Sequence, residues 1–165
     1  MGKAGPAING DCAIGQALYL TGKAEGYGDQ CAWTLLEDLQ PGELKNIVNN
    51  TGNNLLNLAA GSSVRCAEKV CILLKSTDEA NFPNIINHKT KNQSTALHHA
   101  ASRPSPNIFN LYLDYGATTW SDPDKGGNTP ISIIQDKLLD LDPQSEEAKG
   151  WLKAIEYCQK QPSVI

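Results

Sequence analysis

Long hydrophobic runs and clusters of basic residues are both missing from this sequence. No stretch reaches the roughly 18 consecutive apolar residues that a membrane-spanning helix needs. The 14 Lys and Arg residues are outnumbered by 18 Asp and Glu residues, which gives a net charge of −4, and the basic residues form no run. Nucleic acids and anionic membranes both select clustered Lys and Arg. We therefore expect neither nucleic-acid binding nor membrane association.

Signals for secretion and for disulfide bonding are missing as well. The first six residues, MGKAGP, contain one Lys but no apolar segment behind it, which a signal peptide would have. The five cysteines are an odd number, and no two of them form a C-x-x-C pair. Reduced thiols that act as small apolar side chains are the simplest interpretation. We expect a cytoplasmic protein, with the nucleus as the alternative location.

Motifs for phosphate binding, metal-dependent hydrolysis and serine-nucleophile catalysis do not occur either. The pair His98-His99 is the most tempting chemical feature. Neighbouring residues on a helix diverge by about 100°, so these two side chains cannot point at the same ion. We expect no catalytic residue, no metal and no cofactor, and therefore no enzyme. His99 is expected on the surface.

The sequence does contain one segment in three similar copies. The nine residues that start at Gly52, Gln93 and Gly127 read GNNLLNLAA, QSTALHHAA and GNTPISIIQ. The second and third copies start 34 residues apart, and the first and second start 41 residues apart. The extra residues of the longer step fall in the stretch 76–83, which is predicted to be a loop. The chain therefore has a repeated architecture rather than three unrelated segments.

The middle copy has the features of a helix that packs against its neighbours. Thr95 is a good N-cap because its hydroxyl can accept from an N–H of the first turn. Leu97, Ala100 and Ala101 lie three and four residues apart, so they share one helix face, and the alanines are small enough for neighbouring helices to approach. A second helix should follow and end near Gly116, which can adopt the left-handed conformation. Each copy is predicted to be a helix pair that buries its apolar face by stacking.

The middle copy, TALHHAA at 95–101, resembles the ankyrin-repeat signature T-P-L-H-x-A, and the 34-residue step is close to the ankyrin period of about 33. The resemblance implies an all-α solenoid of stacked helix-turn-helix pairs with short hairpin loops. It also implies that His98 is a structural histidine that hydrogen-bonds across the repeat. The implied organisation is a flexible or partly helical N-terminal arm at 1–28 and an ankyrin-repeat domain at 29–165, with a cap at 29–49 and repeats at about 50–88, 89–121 and 122–160.

The ankyrin resemblance further implies binding of a partner protein through the concave face formed by hairpin tips and inner helices. The variable positions lie just before and just after each inner helix. Their basic members outnumber Asp136, which favours an acidic or phosphorylated segment, and Arg103 could hold it by a bidentate contact. The chain on its own is expected to be a monomer. The candidate partner-binding residues are Asn50, Thr51, Asn53, Lys91, Asn92, Ser94, Ser102, Arg103, Trp120, Lys125, Asn128, Asp136 and Lys137.

Other interpretations of the same residues stay open. The chain could be a regulatory or targeting ankyrin module of a larger enzyme, or a short ankyrin-type inhibitor of a transcription factor. Trp120 could be an exposed anchor for the partner or could pack on the preceding hairpin. The last residues, 163–165, read SVI and fit the pattern of a PDZ-domain ligand, with a hydroxyl two positions before an apolar C-terminal residue.

Overall fold

The structure is a computed structural model that describes residues 33–37, 39–40 and 52–161. The predicted arm at 1–28, most of the predicted cap and the C-terminal residues 163–165 lie outside the described residues. Within the described ranges the regular secondary structure is helical, with no strand. The prediction of an all-α protein is therefore confirmed for this part of the chain.

Residues 33–37 form a short helical segment, and the helices after residue 52 come mostly in pairs. In each pair a shorter helix is followed, after a connection of a few residues, by a longer one. One further short helix lies between the first pair and the second. The helices are α1 (Leu55–Ala59), α2 (Val64–Thr77), α3 (Phe82–Ile86), α4 (Ala96–Ala101), α5 (Asn107–Asp114), α6 (Pro130–Leu139) and α7 (Glu146–Lys160).

The pairs are stacked so that their shorter helices form one row. Helix α4 lies in the middle of this row and contacts α1 on one side and α6 on the other. In a second row α2 contacts α5, and each longer helix also contacts the shorter helix of its own pair. Ala59, Ala60, Ala100 and Ala101 are all buried. Small side chains at these positions let neighbouring helices come close, as the sequence predicted.

Aromatic side chains fill the interior between the pairs. Phe109 and Trp151 are fully buried and meet edge to face, with their ring centroids 5.8 Å apart. Such geometry places the positive edge of one ring against the negative face of the other. Tyr112 is also fully buried, and its hydroxyl donates to the carbonyl oxygen of Leu56 over 2.7 Å. The second pair is thereby tied to the first by a buried hydrogen bond as well as by apolar packing.

Helix α5 ends as predicted. Gly116 has a φ of 96°, in the left-handed region. The N–H of Ala117 donates to the carbonyl oxygen of Tyr112 over 2.9 Å, which closes the last turn.

Helix α3 was not expected: its first two residues lie in the stretch 76–83, which was predicted to be a loop, and no helix was predicted for the residues that follow. Phe82, Ile85 and Ile86 lie three and four residues apart and are all buried. A helix of five residues is unstable alone, so it forms only because packing buries this face. The edge-to-face contact between the rings of Phe82 and Tyr115, at 6.2 Å, shows where it packs.

Candidate functional site

A turn precedes each helix of the first row, and each turn contains one residue with a left-handed backbone. The φ angles are 82° at Gly52, 61° at Gln93 and 83° at Gly127. These residues are the first of the three similar sequence segments, so the same position has the same backbone conformation in each copy. We call the turn at Gly52 the first turn, the turn at 90–94 the second turn and the turn at 124–128 the third turn.

The second and third turns are closed by equivalent hydrogen bonds. In the second turn the N–H of Thr90 donates to the carbonyl oxygen of Ser94 over 2.8 Å. In the third turn the N–H of Asp124 donates to the carbonyl oxygen of Asn128 over 2.9 Å. The similarity of the copies therefore extends from sequence to backbone hydrogen bonding.

Neighbouring turns are also joined to one another. The N–H of Lys125 donates to the carbonyl oxygen of Asn92 over 3.0 Å, which links the third turn to the second. The Nε2 atom of His88, which precedes the second turn in the chain, lies 2.7 Å from the carbonyl oxygen of Gly52 in the first turn. The second and third turns are therefore joined by a backbone hydrogen bond, and the first turn is joined by a side chain to the segment before the second turn.

His98 has the structural role that the sequence predicted. It is buried, and its Nδ1 accepts from the N–H of Thr95 over 3.0 Å. Because Nδ1 is an acceptor, the ring proton is on Nε2, which donates to the carbonyl oxygen of Asn128 over 2.9 Å. The hydroxyl of Thr119 donates to Oγ1 of Thr95 over 2.9 Å and completes the network. The start of α4 is thereby tied to the third turn.

The predicted residues at the turns differ in exposure. The basic residues and the asparagines of the second and third turns project into solvent, whereas the residues next to the N-caps of α1 and α4 are half-buried. Asn50 and Thr51 lie outside the described residues. The exposed predicted residues are Lys91, Asn92, Lys125 and Asn128, and the half-buried ones are Asn53 and Ser94.

Two aspartates add negative charge at the third turn, with Asp124 inside the turn and Asp122 just before it. Asp122 forms a salt bridge with Lys89 at 3.2 Å. Asp124 accepts from the N–H of Gly126 over 2.8 Å and from the N–H of Asn128 over 3.0 Å. The hydrogen bond from Asn128 is the largest cause of the lowered pKa of the Asp124 carboxyl group. Both carboxylates are engaged within the fold.

Lys137 is engaged by groups of the protein itself, and its contact with a partner stays a prediction. Its ammonium group donates to the carbonyl oxygen of Ala101 over 2.6 Å and also to that of Arg103. It lies 4.2 Å from the ring centroid of Trp151. Burial lowers the pKa of Lys137, Glu147 opposes this shift, and the charge of Arg103 adds to it. Lys137 therefore caps the end of α4, as basic side chains near a helix C-terminus can.

The other predicted residues beside the first row have separate environments. Ser102 is exposed, and its hydroxyl donates to the carbonyl oxygen of His98 over 3.1 Å. Asp136 is exposed and Arg103 is half-buried. Trp120 is half-buried and packs against the apolar core.

His99 is not on the surface, so that expectation was wrong. The side chain is half-buried, and its Nε2 is buried without a hydrogen-bond partner in the described part of the chain. Burial is the main cause of the lowered pKa of His99, and the neighbouring His98 adds to it. A positive charge on this ring would be poorly solvated.

A cavity of about 240 Å³ lies where the connection between α1 and α2 meets the connection between α4 and α5. Its lining comes from loops of two different pairs, so no local sequence pattern indicates it. Arg103 is the one charged residue among the described residues that line it. The lining consists of Ser62, Ser63, Val64, Arg103, Pro104, Ser105, Asn107 and Ile108.

Among the described residues, no group of three His, Cys, Asp or Glu side chains is arranged to hold a metal ion. No helix in the described ranges is both long and apolar enough to cross a membrane.

A comparison of the sequence with models of protein families finds no match. A comparison with curated proteins finds no significant match either.

Proposed function

We propose that this chain is a non-catalytic protein-interaction module of the ankyrin type, which binds an acidic or phosphorylated segment of another protein. The binding surface consists of the second and third turns together with the exposed side of the row formed by α1, α4 and α6. The arrangement of stacked helix pairs with linked turns supports this proposal. So does the sequence resemblance of the middle copy.

The observation that carries the proposal is that the backbone groups and the side chains of the turns have different roles. Their backbone groups are bonded to each other, as in the hydrogen bond from Lys125 to Asn92. Their side chains, by contrast, are exposed at Lys91, Asn92 and Lys125. A backbone that is already fixed loses little conformational entropy when a partner binds to its exposed polar side chains. The turns are therefore suited to recognise a partner.

The charges at the turns favour an anionic partner. Asp122 is paired with Lys89, and the Asp124 carboxylate accepts two backbone N–H groups. Lys91 and Lys125 form no salt bridge with a carboxylate of the described residues, so their ammonium groups remain available. Opposite charge across an interface increases the association rate and the discrimination between partners.

Affinity capture from the source cells with charge-reversed variants tests the proposal. The chain with Lys91→Glu and Lys125→Glu should lose the partner that the unchanged chain captures. A matched control with Lys149→Glu and Lys153→Glu changes two exposed lysines of α7, in the second row, by the same charge. Both variants should fold, because exposed substitutions usually change stability by under about 0.5 kcal/mol. Circular dichroism checks this.

Equal capture by both variants would reject the turns as the binding surface. Loss of the partner only in the α7 variant would place the interface on the opposite side. Measuring the captured complex at two salt concentrations adds a second criterion, because a charge-driven interface weakens as salt rises.

Light scattering of the chain alone tests the further proposal that it is a monomer without its partner.

A further inference from the structure

The connection between α4 and α5, residues 102–106, has the sequence SRPSP. Groups of α6 and α7 hold it in place. Its second residue, Arg103, accepts a hydrogen bond at its carbonyl oxygen from the ammonium group of Lys137 on α6. Its third residue, Pro104, accepts one at its carbonyl oxygen from Nε1 of Trp151 on α7, over 3.3 Å. Two prolines in five residues further restrict the backbone. The loop is therefore fixed before any ligand arrives.

A glycine on α7 allows the close approach behind this loop. A Cβ atom placed on Gly150 would lie only 2.8 Å from Cγ of Pro106. Contacts this short do not occur between real side chains, so residue 150 must lack a side chain if the loop is to keep its position. The loop is thus fixed by Lys137 and Trp151 through hydrogen bonds and at Gly150 through close packing.

The other side of the loop faces the cavity of about 240 Å³ and presents hydrogen-bond donors. The guanidinium of Arg103 forms no salt bridge with a carboxylate of the described residues, and none of the described lining residues is acidic. Oγ of Ser105 accepts from the N–H of Asn107 over 3.3 Å, so its hydroxyl proton can be donated to a ligand. The exposed side-chain amide of Asn107 supplies a further donor. Val64 and Ile108 add apolar surface.

We infer that this cavity is an anchor site for one anionic side chain, a carboxylate or a phosphate, of the bound partner segment. Arg103 makes the bidentate contact, and Ser105 and Asn107 donate to the remaining oxygens. The inference rests on the proposed function, which supplies the segment, but the site itself can be tested without a partner. The site lies beside the end of α4, whereas the lysines of the turns lie beside its beginning. A partner that contacts both would therefore run along the length of α4.

Titration with inorganic phosphate, followed by amide chemical shifts in NMR, tests the site. Sodium chloride at matched ionic strength is the salt control, and acetate is the parallel probe for a carboxylate. Saturable shifts should appear at residues 62–64 and 103–108. Arg103→Gln should weaken phosphate binding by about tenfold or more, because it removes a charge-assisted bidentate contact. Lys153→Gln, which removes an equal charge at an exposed position of α7, should leave the affinity unchanged.

A second variant tests the fixed position of the loop. Gly150→Ala keeps every donor but pushes against Pro106, so it should weaken phosphate binding several-fold while the helical circular dichroism stays the same. Shifts that rise linearly with salt, or that respond equally to Arg103→Gln and Lys153→Gln, would overturn the inference. The stronger of the two probes identifies the anion class.

Failure of the site and failure of the proposed function are distinguishable. The phosphate titration uses the chain alone and decides the site. The captured partner and its loss in the Lys91→Glu, Lys125→Glu variant decide the function. If both the anion site and the proposed function hold, Arg103→Gln should also weaken binding of the captured partner. Unchanged affinity for the partner would show that its segment does not use this cavity.

Discussion

Helices α1 and α4 occupy the same position in two neighbouring copies but are connected to their surroundings by different side chains. In both, the N–H of the N-cap residue donates to the third helical residue, from Asn54 to Oδ1 of Asn57 over 2.9 Å and from Thr95 to Nδ1 of His98 over 3.0 Å. The histidine ring is long enough to reach the carbonyl oxygen of Asn128 as well. The side-chain Nδ2 of Asn57 is buried and has no hydrogen-bond partner among the described residues.

The first pair achieves its connection by another route. The side-chain nitrogen of Asn54 donates to the carbonyl oxygen of Ile85 over 2.8 Å, and His88 lies against the carbonyl oxygen of Gly52. The start of α1 is therefore tied, through its N-cap and Gly52, to helix α3 and to His88, which precede the second turn in the chain. The comparison teaches that the start of each helix is tied to a segment further along the chain and that the residues supplying these bonds can change.

The largest expected effect is one that the two helices share. Leu56 of α1 and Leu97 of α4 are both fully buried at equivalent positions. Replacing either by Ala should lower the free energy of unfolding by about 2–5 kcal/mol, because apolar burial is lost and a cavity remains. Denaturant unfolding measures this. Leu139→Ala is the control, since Leu139 is 83% exposed and should change stability little. A small effect at Leu97 would show that the copies are aligned in the wrong register.

The polar positions should separate the two helices. His98→Ala leaves the N–H of Thr95 and the carbonyl oxygen of Asn128 without their partner, so it should cost about 1–3 kcal/mol. Asn57→Ala should cost less, about 1 kcal/mol, because it also removes a buried nitrogen that has no partner. If both variants lost the same free energy of unfolding in urea, the hydrogen bond from His98 to Asn128 would contribute nothing to stability.

The turns provide a smaller and more local comparison. Gln93 has a left-handed backbone where the other two copies have glycine. Gln93→Gly should therefore raise the stability by about 0.5–1 kcal/mol, since it relieves strain in the folded state. Gly127→Ala, at the equivalent position of the third turn and with open space around it, should lower the stability by about 1 kcal/mol. Melting temperatures that shift in the same direction for both variants would contradict this account.

A pH-dependent difference is expected at the residue after His98. Since burial lowers the pKa of His99 in the folded protein, its contribution to stability is complete above its ordinary pKa of about 6.5 and is lost as the pH falls below that value. The first copy has Leu58 at this position. His99→Leu should therefore reduce the loss of stability between neutral and acidic pH, as measured by unfolding at several pH values. Parallel pH profiles for the two proteins would rule out His99 as a cause.

Sequence alone predicted the elements whose signals are local. The N-cap at Thr95, the left-handed residue Gly116 and the buried pair Ala100 and Ala101 follow from spacing and from backbone preferences that neighbouring residues fix. The structural role of His98 followed from the family resemblance. Of the candidate surface, the exposed lysines of the turns could be identified because they lie next to a recognisable helix start.

Other predictions failed or were missing where distant residues decide the outcome. Lys137 lies on a helix face that looks exposed in sequence, but its ammonium group is drawn to α4 and Trp151 by contacts more than ten residues away in the chain. Helix α3 and the buried position of His99 likewise depend on what packs against them. The local sequence pattern does not indicate which distant residues pack against these positions.

The sequence by itself determined that the described part of the chain is helical, that three similar segments begin helix pairs, and that basic residues precede the helices of the second and third. These properties arise from turn, capping and periodicity preferences that act over a few residues. Only the tertiary structure decided which charges remain free and where the loop of Arg103 meets the loop of Ser62. The reason is physical: the stacking of one pair on the next brings together groups about 40 residues apart, and their burial and pairing exist only once that contact has formed.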